Sequence, residues 1–206
     1  MSETQPDPGA RPNPQTQPAP VLYFDLGSPY AYLALMRVHK LLGREVVLQP
    51  VLLGAIFADR GWGSWSLTDA RAVNVAEIER RAAAYDLPLR WPADWPPNSL
   101  VAQRAAIFAQ RKGVGRAFAE AAYLATYGAG GDLGEPETLL VAGEAAGLPR
   151  DELTAALSDP EIKAALRQAT EAAIALGVNG IPTLQIGGQL YFGDDQLEQA
   201  ARAVSA

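Results

Sequence analysis

Between residues 21 and 54 the pattern of apolar and polar positions changes period twice. The run Val21-Leu22-Tyr23-Phe24-Asp25-Leu26 is β-prone, almost continuously apolar and bounded by Gly27-Ser28-Pro29, which is the pattern of a buried strand. Ala31, Leu33, Leu35, Met36, Val38 and Leu41 then form a broad apolar stripe at helical spacing. Ser28 suits the N-cap of that helix, Pro29 its first position and Gly43 the residue just past its end. Glu45-Val46-Val47-Leu48-Gln49 predicts a second strand, stopped by Pro50. A strand–helix–strand unit of this size implies a parallel pair joined by a right-handed crossover.

From about Ala55 to Asp159 the strand signals vanish and alanine-rich helical patterns follow one another, punctuated by Gly and Pro. Helices are predicted near 68–85, 99–112, 115–127, 136–146 and 150–157, with Ser99 or Asn98 capping the second and Pro136 opening the fourth. Asp159-Pro160-Glu161 starts a further helix that runs through Ile162, Leu166, Ala169, Ala173 and Leu176 to Gly177. Thr183–Ile186 and Gln189–Phe192 flank Gly187-Gly188 and read as an antiparallel hairpin with positive φ at the turn, followed by a short helix from about Asp194. The order describes an α/β chain: a thioredoxin-like domain over residues 21–54 and 160–206, interrupted by an all-helical insertion over 55–159. Residues 1–20, rich in Pro and Gln, read as a disordered tail.

Composition narrows the ligand. The 206 residues are 49% hydrophobic, enough for one folded unit of two interleaved parts. A net charge of −6 with no Lys/Arg cluster argues against nucleic acid or an anionic membrane surface and points to a small molecule or a protein. No stretch approaches the roughly 20 apolar residues that cross a bilayer, and the first residues lack the basic start and apolar core of a secretory signal, so a soluble, cytoplasmic protein is expected. The chain has no cysteine and a single histidine, His39, which leaves no disulfide, no thiolate zinc site, no imidazole cluster and no cysteine nucleophile. His39 cannot pair with Ser28 as a hydrolase dyad, because eleven residues along one helix separate them by about 16 Å.

Ser28-Pro29-Tyr30-Ala31 stands where a thioredoxin-like protein would carry Cys-x-x-Cys. A helix N-terminus presents unpaired N–H groups and the positive end of the dipole, an environment that favours a thiolate. Here that thiol must come from another molecule, because a serine hydroxyl can donate to sulfur but cannot form a disulfide. Two distant segments would meet the same edge. Ile181-Pro182, just ahead of a strand, invites a cis bond that exposes the Ile181 backbone as a pairing edge. Asp194-Asp195 begin the last helix and offer carboxylates for an ammonium beside N–H groups for a carboxylate. Each feature also has a plainer reading: Ser28 and Asp194 as helix caps, Asp195 as a complement to the helix dipole, and Trp62 and Trp65 as loop packing instead of an aromatic wall. The Trp91–Pro97 segment reads first as a stiff connector with aromatic packing, with ligand contact as the lesser alternative.

Phe24–Leu33, Pro50–Gly54, Gly177–Thr183 and Phe192–Leu197 resemble the corresponding segments of the 2-hydroxychromene-2-carboxylate isomerase and kappa-class glutathione transferase family, over roughly residues 21–204. The resemblance implies a DsbA-like thioredoxin fold with a helical insertion, glutathione or another small thiol as cosubstrate, no metal, and a homodimer. By position it implies that Ser28 activates the thiol, that Pro29, Tyr30, Ile181 and Pro182 line the thiol site with Ile181 pairing through its backbone, and that Asp194 and Asp195 hold the γ-glutamyl end. The implied reaction is a glutathione-dependent isomerisation by reversible thiolate addition to a conjugated aromatic substrate. A kappa-type transferase or peroxidase is the alternative, and from the exposed Ile181 edge alone a non-catalytic peptide binder. The Phe57-to-Trp65 segment, with Phe57, Trp62 and Trp65, would help enclose the substrate. The chain departs from the family after Pro50: residues 56–65 contain no Asn, and no Lys occurs between Lys40 and Lys112, which leaves Arg60 or Arg71 to contact a thiol carboxylate there.

Overall fold

The computed structural model describes residues 18–205, so the predicted disorder of the tail lies outside the described residues for positions 1–17. Pro20, assigned to the tail from sequence, is buried, and its carbonyl accepts from Val47 N at 2.8 Å.

A four-stranded mixed sheet has the order β2-β1-β3-β4, with β1 Val21–Phe24, β2 Val47–Pro50, β3 Thr183–Ile186 and β4 Gln189–Phe192. β1 pairs parallel with β2, Val21 opposite Val47, and antiparallel with β3, Leu22 opposite Leu184. The hairpin closes as expected, although only Gly187 of the two turn glycines has positive φ. Both N-terminal strand boundaries move. β1 ends at Phe24 because Asp25 turns to bond local N–H groups, and Pro50 lies inside β2, opposite Phe24, where the ladder does not need its missing N–H.

Helix α1 (Pro29–Leu42) links β1 to β2 and ends at Gly43, whose φ of 60° is the left-handed conformation glycine adopts without a Cβ clash. The helical insertion follows: α2 Leu53–Arg60, a 3₁₀ turn Trp65–Leu67, α3 Arg71–Ala84, α4 Leu100–Arg111, α5 Gly115–Tyr123 continued by a π turn Leu124–Gly128, α6 Pro136–Ala145 and α7 Arg150–Ala156. Helix α8 (Pro160–Ala175) then returns to β3, and a 3₁₀ turn Asp194–Gln196 leads into α9 (Leu197–Ser205). The expected last helix therefore begins as a 3₁₀ turn at Asp194. The segment around Phe57, outside the helices predicted from sequence, is helix α2. Its signal is weak because Leu52 offers no capping side chain and Gly54 falls in its first turn.

One apolar core joins sheet and insertion, with Leu22, Phe24 and Tyr32 packed in the same cluster as Phe118, Tyr123, Leu139 and Leu153. Because the cluster is shared, the insertion sets the position of the β1–α1 turn.

Candidate functional site

The turn after β1 is tied from within and from the insertion. The Asp25 carboxylate accepts from Gly27 N and from Leu53 N, each at 2.8 Å, and also from the Ser99 side chain. Burial pushes its pKa up, and those three donors oppose the shift. Ser28 N donates to Asp25 O at 2.9 Å. Ser28 is the N-cap of α1, its Oγ accepting from Ala31 N at 3.3 Å, which leaves its hydroxyl proton free to donate.

Three insertion side chains hold the backbone beneath it. Buried Gln103 donates to Phe24 O (2.9 Å) and Val51 O (2.7 Å) and accepts from Leu26 N (3.1 Å). Tyr123 and Tyr127 donate their hydroxyls to Asp25 O (2.8 Å) and Gly27 O (2.6 Å). Burial drives both phenols well above their ordinary pKa, so they remain neutral donors.

The second segment reaches the same place through a cis Ile181–Pro182 bond. Thr183 Oγ1 donates to Gly180 O at 2.7 Å, and Gly193 N donates to Pro182 O at 2.9 Å. Between them, the Ile181 N–H and C=O have no hydrogen-bond partner among the described residues.

The two acidic residues differ. Asp194, 1% exposed, accepts from Arg81 Nη1 at 2.6 Å and faces Arg37 Nη1 at 3.8 Å. Burial pushes its pKa up against the pull of Arg81. Asp195 is 56% exposed and lies 3.9 Å from Arg81 Nη2. Arg81 Nε is taken by Glu77 at 2.6 Å, so all three guanidinium nitrogens face carboxylates.

An aromatic wall adjoins these groups. Tyr30 meets Trp65 edge-on at 5.9 Å, Trp65 meets Trp95 at 5.4 Å, and Trp95 meets Trp91 at 4.8 Å. Tyr30 donates its hydroxyl to Asn74 Oδ1 at 2.8 Å, and Trp95 Nε1 donates to Tyr127 Oη at 3.2 Å, linking the wall to the turn.

All of these elements border one cleft of about 900 Å³. The ten residues singled out from sequence (Ser28, Pro29, Tyr30, Phe57, Trp62, Trp65, Ile181, Pro182, Asp194 and Asp195) all line it. Trp65 packs on Trp95 and lines the cleft at once. Trp95, expected foremost as packing in a connector, is a wall residue, Asn179 lines the cleft from within the expected Gly177–Thr183 segment, and Arg81, Asn98 and Ser99 line it without having been anticipated there. Asn98 Oδ1 caps Leu100 N at 3.0 Å and Ser99 makes no side-chain cap bond, which settles the capping of α4. Arg60 and Arg71 are not among the lining residues. Arg60 lies 3.7 Å from Asp59, and Arg71 donates to Trp95 O at 3.0 Å from behind the wall. Among the described residues no group of three or more His, Asp or Glu is placed to hold a metal ion, and no helix is long and apolar enough to cross a membrane.

A family model described as a DSBA-like thioredoxin domain matches residues 21–205. The chain is 30% identical over 182 residues to 2-hydroxychromene-2-carboxylate isomerase of Sphingobium xenophagum, covering 85% of this chain and 92% of that protein. It is 25% identical over 198 residues to glutathione S-transferase kappa 1 of Homo sapiens, covering 87% and 88%. A solved 2-hydroxychromene-2-carboxylate isomerase superposes with a TM-score of 0.80 at 23% identity, over 91% of this chain and 94% of that one.

Proposed function

The chain belongs to the DsbA-like thioredoxin family, and from that premise we propose that it is a glutathione-dependent isomerase of the 2-hydroxychromene-2-carboxylate isomerase type. One juxtaposition carries the reading. In a chain without cysteine, a Ser28 hydroxyl with a free proton stands at a helix start, in the same cleft as the unpartnered Ile181 backbone. Glutathione lies with its cysteinyl backbone paired to Ile181 and its γ-glutamyl ammonium on Asp195. Asp194, buried with its Oδ1 on Arg81 and its Oδ2 without a hydrogen-bond partner, acts by fixing that guanidinium. Pro29, Tyr30 and Pro182 shape the thiol seat, and Phe57, Trp62 and Trp65 face the aromatic partner.

A free thiol ionises near a pKa of about 8.5, so a helix terminus and one serine hydrogen bond make a useful thiolate fraction at neutral pH. The thiolate sulfur attacks the β-carbon of a conjugated carbonyl substrate, and the alkene π pair moves onto the carbonyl oxygen as an enolate. The former double bond rotates. Collapse of the enolate then expels the thiolate and restores the alkene, with no net oxidation and no glutathione consumed.

Calorimetric titration with glutathione tests the binding step. Saturable binding weakened about tenfold by Asp195→Ala is expected, together with a fall of about 100-fold in thiol-dependent turnover in Ser28→Ala. Unchanged turnover in Ser28→Ala overturns the serine's role. Stoichiometric loss of glutathione reassigns the enzyme to transfer. Absence of binding by any small thiol leaves the unpaired Ile181 edge as a peptide-binding strand. The homodimer implied by the family resemblance is read by light scattering of the purified chain.

A further inference from the structure

We propose that the side-chain amide of Asn98 is a catalytic group of the isomerisation, donating a hydrogen bond to the substrate oxygen that turns negative when the thiolate adds. This assignment rests on the thiol reading above and supplies a group that reading lacks, because Ser28 serves the sulfur and no residue yet meets the enolate.

Asn98 lines the cleft just ahead of α4, beside Ser99. Its Oδ1 accepts from Leu100 N at 3.0 Å, which orients the amide and leaves both Nδ2 hydrogens without a partner among the described residues. The head of α4 is itself held on the β1–α1 turn. Ser99 bonds the Asp25 carboxylate, and its Cβ lies so near Gly27 that a Cβ added to the glycine would sit 3.1 Å from it. One helical turn on, Gln103 bonds Leu26 N and the carbonyls of Phe24 and Val51. Asn98 and Ser28 therefore flank one contact, that of Ser99 with Gly27, and the bonds that fix the turn fix the base of the amide.

The other side-chain donors in the cleft are committed or unoriented. Tyr30 is spent on Asn74, Asn74 Nδ2 on Ala70 O, Trp95 on Tyr127, and Arg81 on its carboxylates, while Ser64 and Ser66 bond each other at 2.6 Å. Trp62, Trp65, Asn179 and Gln196 keep free N–H groups, but no side-chain hydrogen bond among the described residues orients them. The free backbone N–H groups of Tyr30, Ile181, Asp194 and Asp195 belong to the segments assigned above to the thiol.

As sulfur bonds to the β-carbon, the alkene π pair moves onto the carbonyl oxygen. An N–H already held in place stabilises that charge more than it stabilises the neutral carbonyl. The amide gives up no proton, so the enolate persists until its electron pair returns and expels the thiolate. A donor acidic enough to protonate the enolate would hold the adduct and favour transfer over isomerisation.

Asn98→Asp separates this role from capping, because a carboxylate still accepts from Leu100 N while the donor gives way to a negative charge. With glutathione and 2-hydroxychromene-2-carboxylate, kcat should fall about 100-fold in Asn98→Ala and further in Asn98→Asp. Affinity for unreactive S-methylglutathione should stay within about threefold in both, and the urea midpoint of Asn98→Asp should match wild type. Infrared spectra of benzylideneacetone, isotope-labelled at its carbonyl and bound without thiol, read the donor directly. The carbonyl stretch should lie at lower wavenumber in wild type than in Asn98→Asp. Turnover like that of wild type in Asn98→Asp, with only a lower urea midpoint in Asn98→Ala, makes Asn98 a cap alone and overturns the proposal. An unchanged carbonyl stretch, or failure of the ketone to bind, overturns it too. A shifted stretch in a protein that binds no small thiol overturns the thiol reading, while the place of the amide at the carbonyl stands.

Discussion

The polar wall of the cleft is built from backbone groups and ion pairs, whereas the aromatic wall is built from rings that touch one another. At the polar wall, Phe24, Asp25 and Gly27 carbonyls are each met by a side chain from α4, α5 or the π turn that follows it. Those donors are buried and lie 79, 98 and 100 residues away in sequence. At the aromatic wall, Trp65 and Trp95 are held mainly by ring contacts, and the outermost members, Trp62 and Leu67, are largely exposed. The difference fits the demands of the two ligands proposed above. A thiolate and a peptide-like backbone need hydrogen-bonding atoms fixed to a few tenths of an ångström, while a planar ring is satisfied by any apolar face of suitable size.

If rigidity is confined to the polar wall, Gln103→Leu should have the largest effect. It leaves the Val51 carbonyl and the Leu26 N–H without partners, while Phe24 O keeps its bond from Val51 N, and each orphaned group costs about 1–3 kcal/mol, so a loss of about 2–4 kcal/mol is expected. The urea midpoint should fall with an unchanged m-value. A loss below about 1 kcal/mol would mean that the tyrosines alone secure the turn.

Trp65→Ala probes the other side with a smaller expected effect. The aromatic substrate should show a KM raised about tenfold, equivalent to about 1.4 kcal/mol, with glutathione affinity changed less than twofold. Equal losses for both ligands would show that the walls are one mechanical unit and erase the contrast.

The same contrast explains what was legible in the chain. Ser28-Pro29, Ile181-Pro182-Thr183 and Gly187 act through local backbone rules, and each was read in place from a few adjacent residues. The insertion helices were also legible, because alanine-rich amphipathic periods survive without context. Helix α2 was not, lacking both a cap and a clean first turn. Gln103, Tyr123 and Arg81 carried no signal either, for a different reason. A glutamine on a helix looks the same whether it faces solvent or clamps a distant strand, and only the packing of α4 beneath β1 makes it a clamp. Asp194 and Asp195 look equivalent as adjacent residues, yet one step along the 3₁₀ turn, about a third of a turn, buries one on Arg81 and leaves the other half-exposed at 3.9 Å from the same guanidinium.

The smallest effect expected is that of Glu77→Gln, at the outer end of the Arg81 network. Glu77 accepts from Arg81 Nε at 2.6 Å and from Arg80 at 2.7 and 2.8 Å, and these guanidinium bonds hold its pKa down to about 2 from an ordinary 4.5. A carboxyl whose pKa is depressed by folding contributes stability that is present above its unfolded pKa and is lost as the pH falls through the folded value. Wild type should therefore exceed the glutamine variant in urea midpoint at pH 6, with the gap closing between pH 4.5 and about 2. Because Glu77 is solvent-facing, the gap should be small and should narrow in salt. Arg81 keeps its bond to Asp194 in the variant, so glutathione affinity should move less than about threefold. A larger loss of affinity would place Glu77 inside the polar wall as a working part, because the orientation of Arg81 would then depend on a residue that does not line the cleft. A gap independent of pH would instead mean that the Glu77 bonds are no stronger in the folded chain than in the unfolded one, leaving Asp194 as the anchor of Arg81.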